Sequence, residues 1–106
     1  MTVNFQITKN FEKDLKKFGT DDKHIITDCI NTYCSILAQK GKVRTRQLYQ
    51  PYQIELRGNF DSSLYVLKVT RKIRVILTID EDPLFNQFII TLLRIVSTDE
   101  AERAYK

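Results

Sequence analysis

The residues best suited to chemistry in this 106-residue chain are cations, and they are gathered in one third of it. Between positions 40 and 74 stand Lys40, Lys42, Arg44, Arg46, Arg57, Lys68, Arg71, Lys72 and Arg74, opposed only by Glu55 and Asp61. That stretch carries a net charge of +7 and the remainder −3, giving +4 overall. Clustering of one sign is the electrostatic footprint of a polyanionic partner, to be weighed against a solvated basic surface that serves solubility.

Two of these cations are brought together by pattern alone. Residues 64–69 and 73–79 alternate as strands: Tyr65, Leu67 and Val69 share one face of the first, and Ile73, Val75, Leu77 and Ile79 form a wholly apolar face of the second. Burying both faces together sets position 69 opposite 73, with Thr70, Arg71 and Lys72 as the loop, because a one-residue slip would invert a strand. Lys68 then lies opposite Arg74 on the other face. Adjacent like charges across a ladder repel by a few tenths to about 1 kcal/mol, which a phosphate bound between them would relieve. Arg57 could join the pair from a neighbouring strand. Arg71 and Lys72 at the hairpin tip read as general phosphate contacts, and Lys42, Arg44 and Arg46 extend the same nucleic-acid-binding surface.

Other chemistries are poorly supported. His24 is the only histidine and lies far from the basic stretch. There is no glycine-rich phosphate loop, no Cys/His cluster and no Ser-His-Asp set, so no metal site and no cofactor is expected. Asp80, Glu81 and Asp82 lack the spacing of a calcium loop and read as a solvated turn. Cys29 and Cys34, five positions apart on a helix, cannot bridge each other there. Two such thiols fit a reducing cytosol. The first residues lack a basic segment followed by an apolar one, and no run approaches the roughly 20 apolar residues that span a bilayer, so a cytoplasmic protein without a membrane anchor is expected.

The elements that must position these residues are legible in outline. Residues 3–7 alternate as a short edge strand. Thr8 is a plausible N-cap for a helix with Phe11, Leu15 and Phe18 on one face, and Gly19 stops it. A second helix begins near residues 20–22, buries Ile26, Ile30, Tyr33 and Leu37, and ends at Gly41. Residues 41–51 read as a mobile basic connection. Strands are expected at residues 52–56, 64–69, 73–79 and 85–96, the last apolar enough for a central position, with an acidic turn at residues 80–83. Residues 97–105 form a terminal helix, Ser97 and Glu100 having capping-box spacing. Phe5, Phe11, Phe18 and Phe88 fit core positions; Tyr49, Tyr52, Phe60 and Tyr105 fall in polar segments where they could stack on bases. The result is one α+β domain over residues 1–106, β-α-α-β-β-β-β-α, a mainly antiparallel sheet of four or five strands packed on two N-terminal helices.

This order resembles the RelE/ParE superfamily of bacterial toxins from type II toxin–antitoxin modules. Phe11-Glu12-Lys13-Asp14-Leu15-Lys16-Lys17-Phe18 is similar to the family's first helix. Leu56-Arg57-Gly58 resembles its Leu-x-Gly before the hairpin. Leu64-Tyr65-Val66-Leu67-Lys68-Val69 with Ile73-Arg74-Val75-Ile76-Leu77 resembles its hairpin strands. Leu92-Leu93-Arg94-Ile95-Val96-Ser97-Thr98-Asp99-Glu100 is similar to a tail written Leu-Leu-x-Ile-Gly-x-His-Asp-Glu.

The resemblance implies an mRNA interferase acting in the ribosomal decoding site, with Arg74 and Lys68 on the scissile phosphate, Arg57 assisting, and Tyr105 orienting or taking a proton. It also implies a cognate antitoxin that covers the basic face. The chain departs from the family pattern at Val66, where some members have a second basic residue, at Val96 for the glycine, and at Thr98 for the histidine. Near Gln50 some members carry a glutamate base. These departures keep two other readings open: a ParE-like inhibitor of DNA gyrase that cuts nothing, and a non-toxic basic RNA-binding module.

Overall fold

The computed structural model describes residues 2–41, 48–49 and 64–104. Its elements are β1 (Thr2–Ile7), α1 (Lys9–Lys16), α2 (Thr20–Lys40), β2 (Leu48–Tyr49), β3 (Leu64–Lys68), β4 (Ile73–Asp82), β5 (Gln87–Ser97) and α3 (Thr98–Ala104). The strands form a five-stranded sheet in the order β1-β5-β4-β3-β2. β1 runs parallel to β5, and the other pairings are antiparallel. The order of elements is the expected one.

α1 starts as its sequence indicates: the Thr8 hydroxyl accepts the Phe11 N–H at 3.3 Å. It ends earlier than expected. Lys17 is its C-cap, and Gly19 is instead the extended N-cap of α2, at φ −71°. The stop is therefore not the glycine; the Lys17 N–H turns back to the Asp14 carbonyl at 3.1 Å. α2 closes as expected at Gly41, whose φ of 65° is the left-handed conformation that favours glycine.

The sheet departs from expectation in two places. Leu48–Tyr49, inside the stretch read as a connection, is an edge strand whose Leu48 pairs with Leu67 and is buried. Two residues are too few to show a period. Residues 80–82 belong to β4, because they continue its ladder on β5 from Asp80↔Ile89 to Asp82↔Gln87. The turn falls at residues 83–86, where Asn86 takes φ 51°. The strand expected over residues 52–56 lies outside the described residues. β5 does take an interior place, between β1 and β4.

The main core lies between the sheet and the two long helices. Phe11, Ile26, Ile30, Tyr33 and Leu37 meet Ile73, Val75, Leu77 and Ile79, with Leu15 and Phe18 packed against them. Each such side chain is worth about 1.5–3 kcal/mol when fully buried. Phe88 joins this core, but Phe5 does not: it is 48% exposed. Among the described residues β1 has a sheet neighbour on one side only, so the Phe5 ring is half covered. The opposite face of the sheet carries a second, smaller cluster, in which Ala101 of α3 packs with Leu64, Val66, Ile76 and Val96.

One irregularity shapes the site. Leu77 pairs with Leu92 but Ile76 with Arg94, so Leu93 is an extra residue in β5. Such a bulge bends the strand and re-aims the residues downstream of it. The Thr8 hydroxyl shares its hydrogen between the carbonyls of Leu92 (2.9 Å) and Leu93 (3.1 Å) and so holds the bulge to the start of α1.

Candidate functional site

The β3–β4 hairpin has the register read from its pattern. Leu67 pairs with Val75 and Lys68 with Arg74, and the Val69 N–H donates to the Ile73 carbonyl at 3.1 Å. The loop is therefore residues 70–72. Lys68 and Arg74 alternate with the buried Val66 and Ile76, so they lie on the face away from α1 and α2. Lys68 is exposed and Arg74 half-buried.

The loop is knit from several directions. The Thr70 hydroxyl oxygen accepts the N–H groups of Lys72 and Ile73, each at 3.2 Å. Nη1 of Arg74 donates to the Thr70 carbonyl and, at 3.1 Å, to the Ile73 carbonyl. From α3, the Thr98 hydroxyl donates to the Arg71 carbonyl and the Thr98 N–H to the Lys72 carbonyl at 3.0 Å. Arg74 thus spends one end of its guanidinium on the turn it leaves. This fixes the plane of the fork and draws its charge toward carbonyl oxygens, which eases the crowding with Lys68. An arginine carries more N–H donors than Nη1 supplies, and its planar fork suits phosphate oxygens.

Arg71 and Lys72 are exposed at the tip of this braced turn. Four cations thus occur within seven residues, 68 to 74, with no acid among them. Exposed cations on a braced turn can bind phosphates and can stabilise charge that accumulates on them. Among the other candidates, Arg57, Tyr105, Lys42, Arg44 and Arg46 lie outside the described residues. Under this face, the Cys29 thiol donates weakly to the Lys68 carbonyl at 3.8 Å, and burial pushes both it and Cys34 above the usual thiol range.

Sequence reading passed over one ionic group. Asp14 is 5% exposed, the buried charged residue among those described. Its Oδ2 accepts from Arg94 Nε at 2.7 Å and from the Ile95 N–H at 2.9 Å, and its Oδ1 from Arg94 Nη2 at 3.3 Å. Burial works to raise its pKa. The Arg94 hydrogen bond, the Ile95 N–H and the charges of Arg94 and Lys17 outweigh burial and hold the carboxyl below its ordinary value. The signal was available, since Phe11, Asp14, Leu15 and Phe18 share the helical spacing of one face, so the aspartate stands inside an apolar stripe. Beside this pair a groove of about 550 Å³ opens between the α1–α2 turn and the β5–α3 junction, with Lys17, Phe18, Lys72 and Glu100 in its wall. Neither Lys68 nor Arg74 lines it.

No family model and no curated protein matches the chain in sequence. Solved structures match it in shape. The YoeB dimer from Staphylococcus aureus is similar at a TM-score of 0.57 and 17% identity, over 89% of this chain and 97% of that one. A YoeB/ParE toxin from Agrobacterium tumefaciens gives 0.58 at 9% identity, over 92% and 98%. The archaeal RelE–RelB complex from Pyrococcus horikoshii gives 0.55 at 19% identity, over 92% and 96%.

Proposed function

From the fold it shares with the RelE, YoeB and ParE toxins, we propose that this single-domain chain is the toxin of a type II toxin–antitoxin module and a metal-independent mRNA endoribonuclease that inhibits translation. The observation that carries the reading is the cross-strand pair of Lys68 and Arg74 on the face away from α1 and α2, beside Arg71 and Lys72. In this reading a 2′-hydroxyl of the message attacks the neighbouring phosphate in the ribosomal decoding site: the 2′-oxygen loses its proton and bonds to phosphorus as the P–O5′ bond breaks, and the leaving 5′-oxygen takes up a proton, so that a 2′,3′-cyclic phosphate and a 5′-hydroxyl end result. The pentacovalent phosphate gathers negative charge, and Arg74, its fork braced on the turn, stabilises it together with Lys68. Arg57 assists and Tyr105 orients or takes a proton. Lys42, Arg44, Arg46, Arg71 and Lys72 hold the flanking strand. A cognate antitoxin covers the basic face with an acidic or amphipathic segment; the archaeal neighbour is itself a complex with its partner.

A second reading has its own support. Thr98 stands where the family tail has histidine, and its hydroxyl is committed to the Arg71 carbonyl. That leaves a structural group in place of a proton-transfer group and favours a gyrase inhibitor that cuts nothing.

Induced expression in a bacterium, with growth and transcript 5′ ends followed together, separates the readings. The parent should arrest growth and generate new message ends. Arg74→Ala, at matched soluble expression, should lose on the order of a hundredfold in cleavage or more. Arrest as strong as the parent's in Arg74→Ala, without message cleavage and with a DNA-damage response, would replace the nuclease reading by the gyrase one.

A further inference from the structure

The hairpin that carries the basic face is not braced by its own strands alone. β1 accompanies β5 only as far as Ile7↔Leu92. Beyond the bulge, β5 has lost that partner, yet Ile95 is buried and its N–H needs an acceptor. Asp14 supplies it from α1. Immediately downstream, Val96 pairs with Arg74 and Ser97 with Ile73, and Thr98 then grips the carbonyls of Arg71 and Lys72. A contiguous set of hydrogen bonds thus runs from the Asp14 carboxylate, through Ile95 and the β5–α3 junction, to the turn on which Arg74 rests.

We propose that Asp14 is a positioning residue for the basic hairpin face: it holds the β5–α3 junction in the place from which Thr98 seats the turn and Val96 flanks Arg74. A carboxylate is costly at so buried a point, and an apolar side chain would serve the core of α1 better. It is placed where the ladder changes register, which is where a strand most needs an external acceptor. Arg94 keeps the carboxylate ionised, and an ionised acceptor makes the stronger, shorter bond to the Ile95 N–H.

Amide hydrogen exchange on the full chain tests this without assuming any activity. Local loosening and global unfolding are separated by comparing amides. In Asp14→Asn, the Thr98 and Val69 amides should exchange about tenfold faster relative to β5 amides upstream of the bulge, the scale of one weakened bond to a charged group. Thr98→Val, which removes the hydroxyl half of the grip at its far end and leaves α1 and the Thr98 N–H bond to Lys72 untouched, should loosen the turn in the same way. The double variant should be less loose than the sum of the two single effects. Equal acceleration of all amides, or additive effects in the double variant, would overturn the proposal and leave Asp14 as a general stabiliser. An activity arm rests on the nuclease reading: Asp14→Asn should lower kcat for message cleavage with KM nearly unchanged. A parent that cuts no RNA would defeat that reading alone, because the exchange comparison still decides the role of Asp14.

Discussion

At one end of β4 the turn over residues 70–72 is gripped from α3 and from Arg74, while at the other the turn over residues 83–86 is capped mainly by its own neighbour, with one long backbone bond, Thr2 N–H to the Asn86 carbonyl at 3.4 Å, from β1. There Asp82 Oδ1 accepts the N–H of Leu84 at 3.1 Å and of Phe85 at 3.4 Å, and Oδ2 accepts from Gln87 Nε2 at 3.2 Å. The ends differ in charge as well: Lys68, Arg71, Lys72 and Arg74 gather at the first, and Asp80, Glu81 and Asp82 at the second. Roughly 30 Å of strand separates them. The turn over residues 83–86 leaves Leu84 82% and Phe85 71% exposed. Local side-chain capping is enough to reverse a chain. Holding several cations in fixed relation takes long-range contacts, because their mutual repulsion opposes the arrangement. The braced end is therefore the one where geometry matters.

This contrast can be broken from its most distant support inward. The largest effect is expected from removing the charge of Asp14. Its folded pKa lies below the ordinary value, so its contribution is fully present above the unfolded pKa, about 3.9, and is lost as pH falls through the folded one. Stability should therefore drop on acidification below about pH 4, and Asp14→Asn should flatten that part of the profile in a denaturant titration. At neutral pH, Asp14→Ala should cost about 2 kcal/mol. This is less than for a fully buried pair, because the Arg94 side chain stays 43% exposed and water can take over its charge. A parent and Asn variant with the same acid profile would remove Asp14 from the account.

A smaller effect is expected at the brace itself. Thr98→Ala deletes the hydroxyl that holds the Arg71 carbonyl but leaves the backbone N–H bond to Lys72 in place. The cost should be about 1 kcal/mol, one intramolecular hydrogen bond, read from the urea midpoint at an unchanged slope. The smallest is expected at the opposite turn. Leu84→Ser and Phe85→Ser should each shift stability by less than about 0.5 kcal/mol, since neither side chain is buried. A loss there equal to that at Thr98 would mean that the two ends are not built differently.

Much of this was legible because it depends on short-range rules. Alternation in two neighbouring strands set the hairpin register and so the pairing of Lys68 with Arg74. Thr8, Gly41 and the Ser97–Glu100 capping box follow from which backbone groups a helix end leaves unpaired. In the box, the Glu100 N–H donates to the Ser97 hydroxyl oxygen at 3.1 Å, and that hydroxyl donates back to the Glu100 carboxylate at 3.2 Å. Tertiary structure decided the rest. A two-residue strand at Leu48–Tyr49 has no period of its own and exists because Leu67 and Val66 offer it a ladder. The extra residue at Leu93 is visible only once β4 lies alongside. Asp14 meets Arg94 and Ile95 across about eighty positions of sequence, a separation over which no local pattern carries information. Thr98 looks in the sequence like a missing histidine; only the packing of α3 against the hairpin turns its hydroxyl into the brace of the basic turn, because a hydrogen bond is defined by where two groups end up in space.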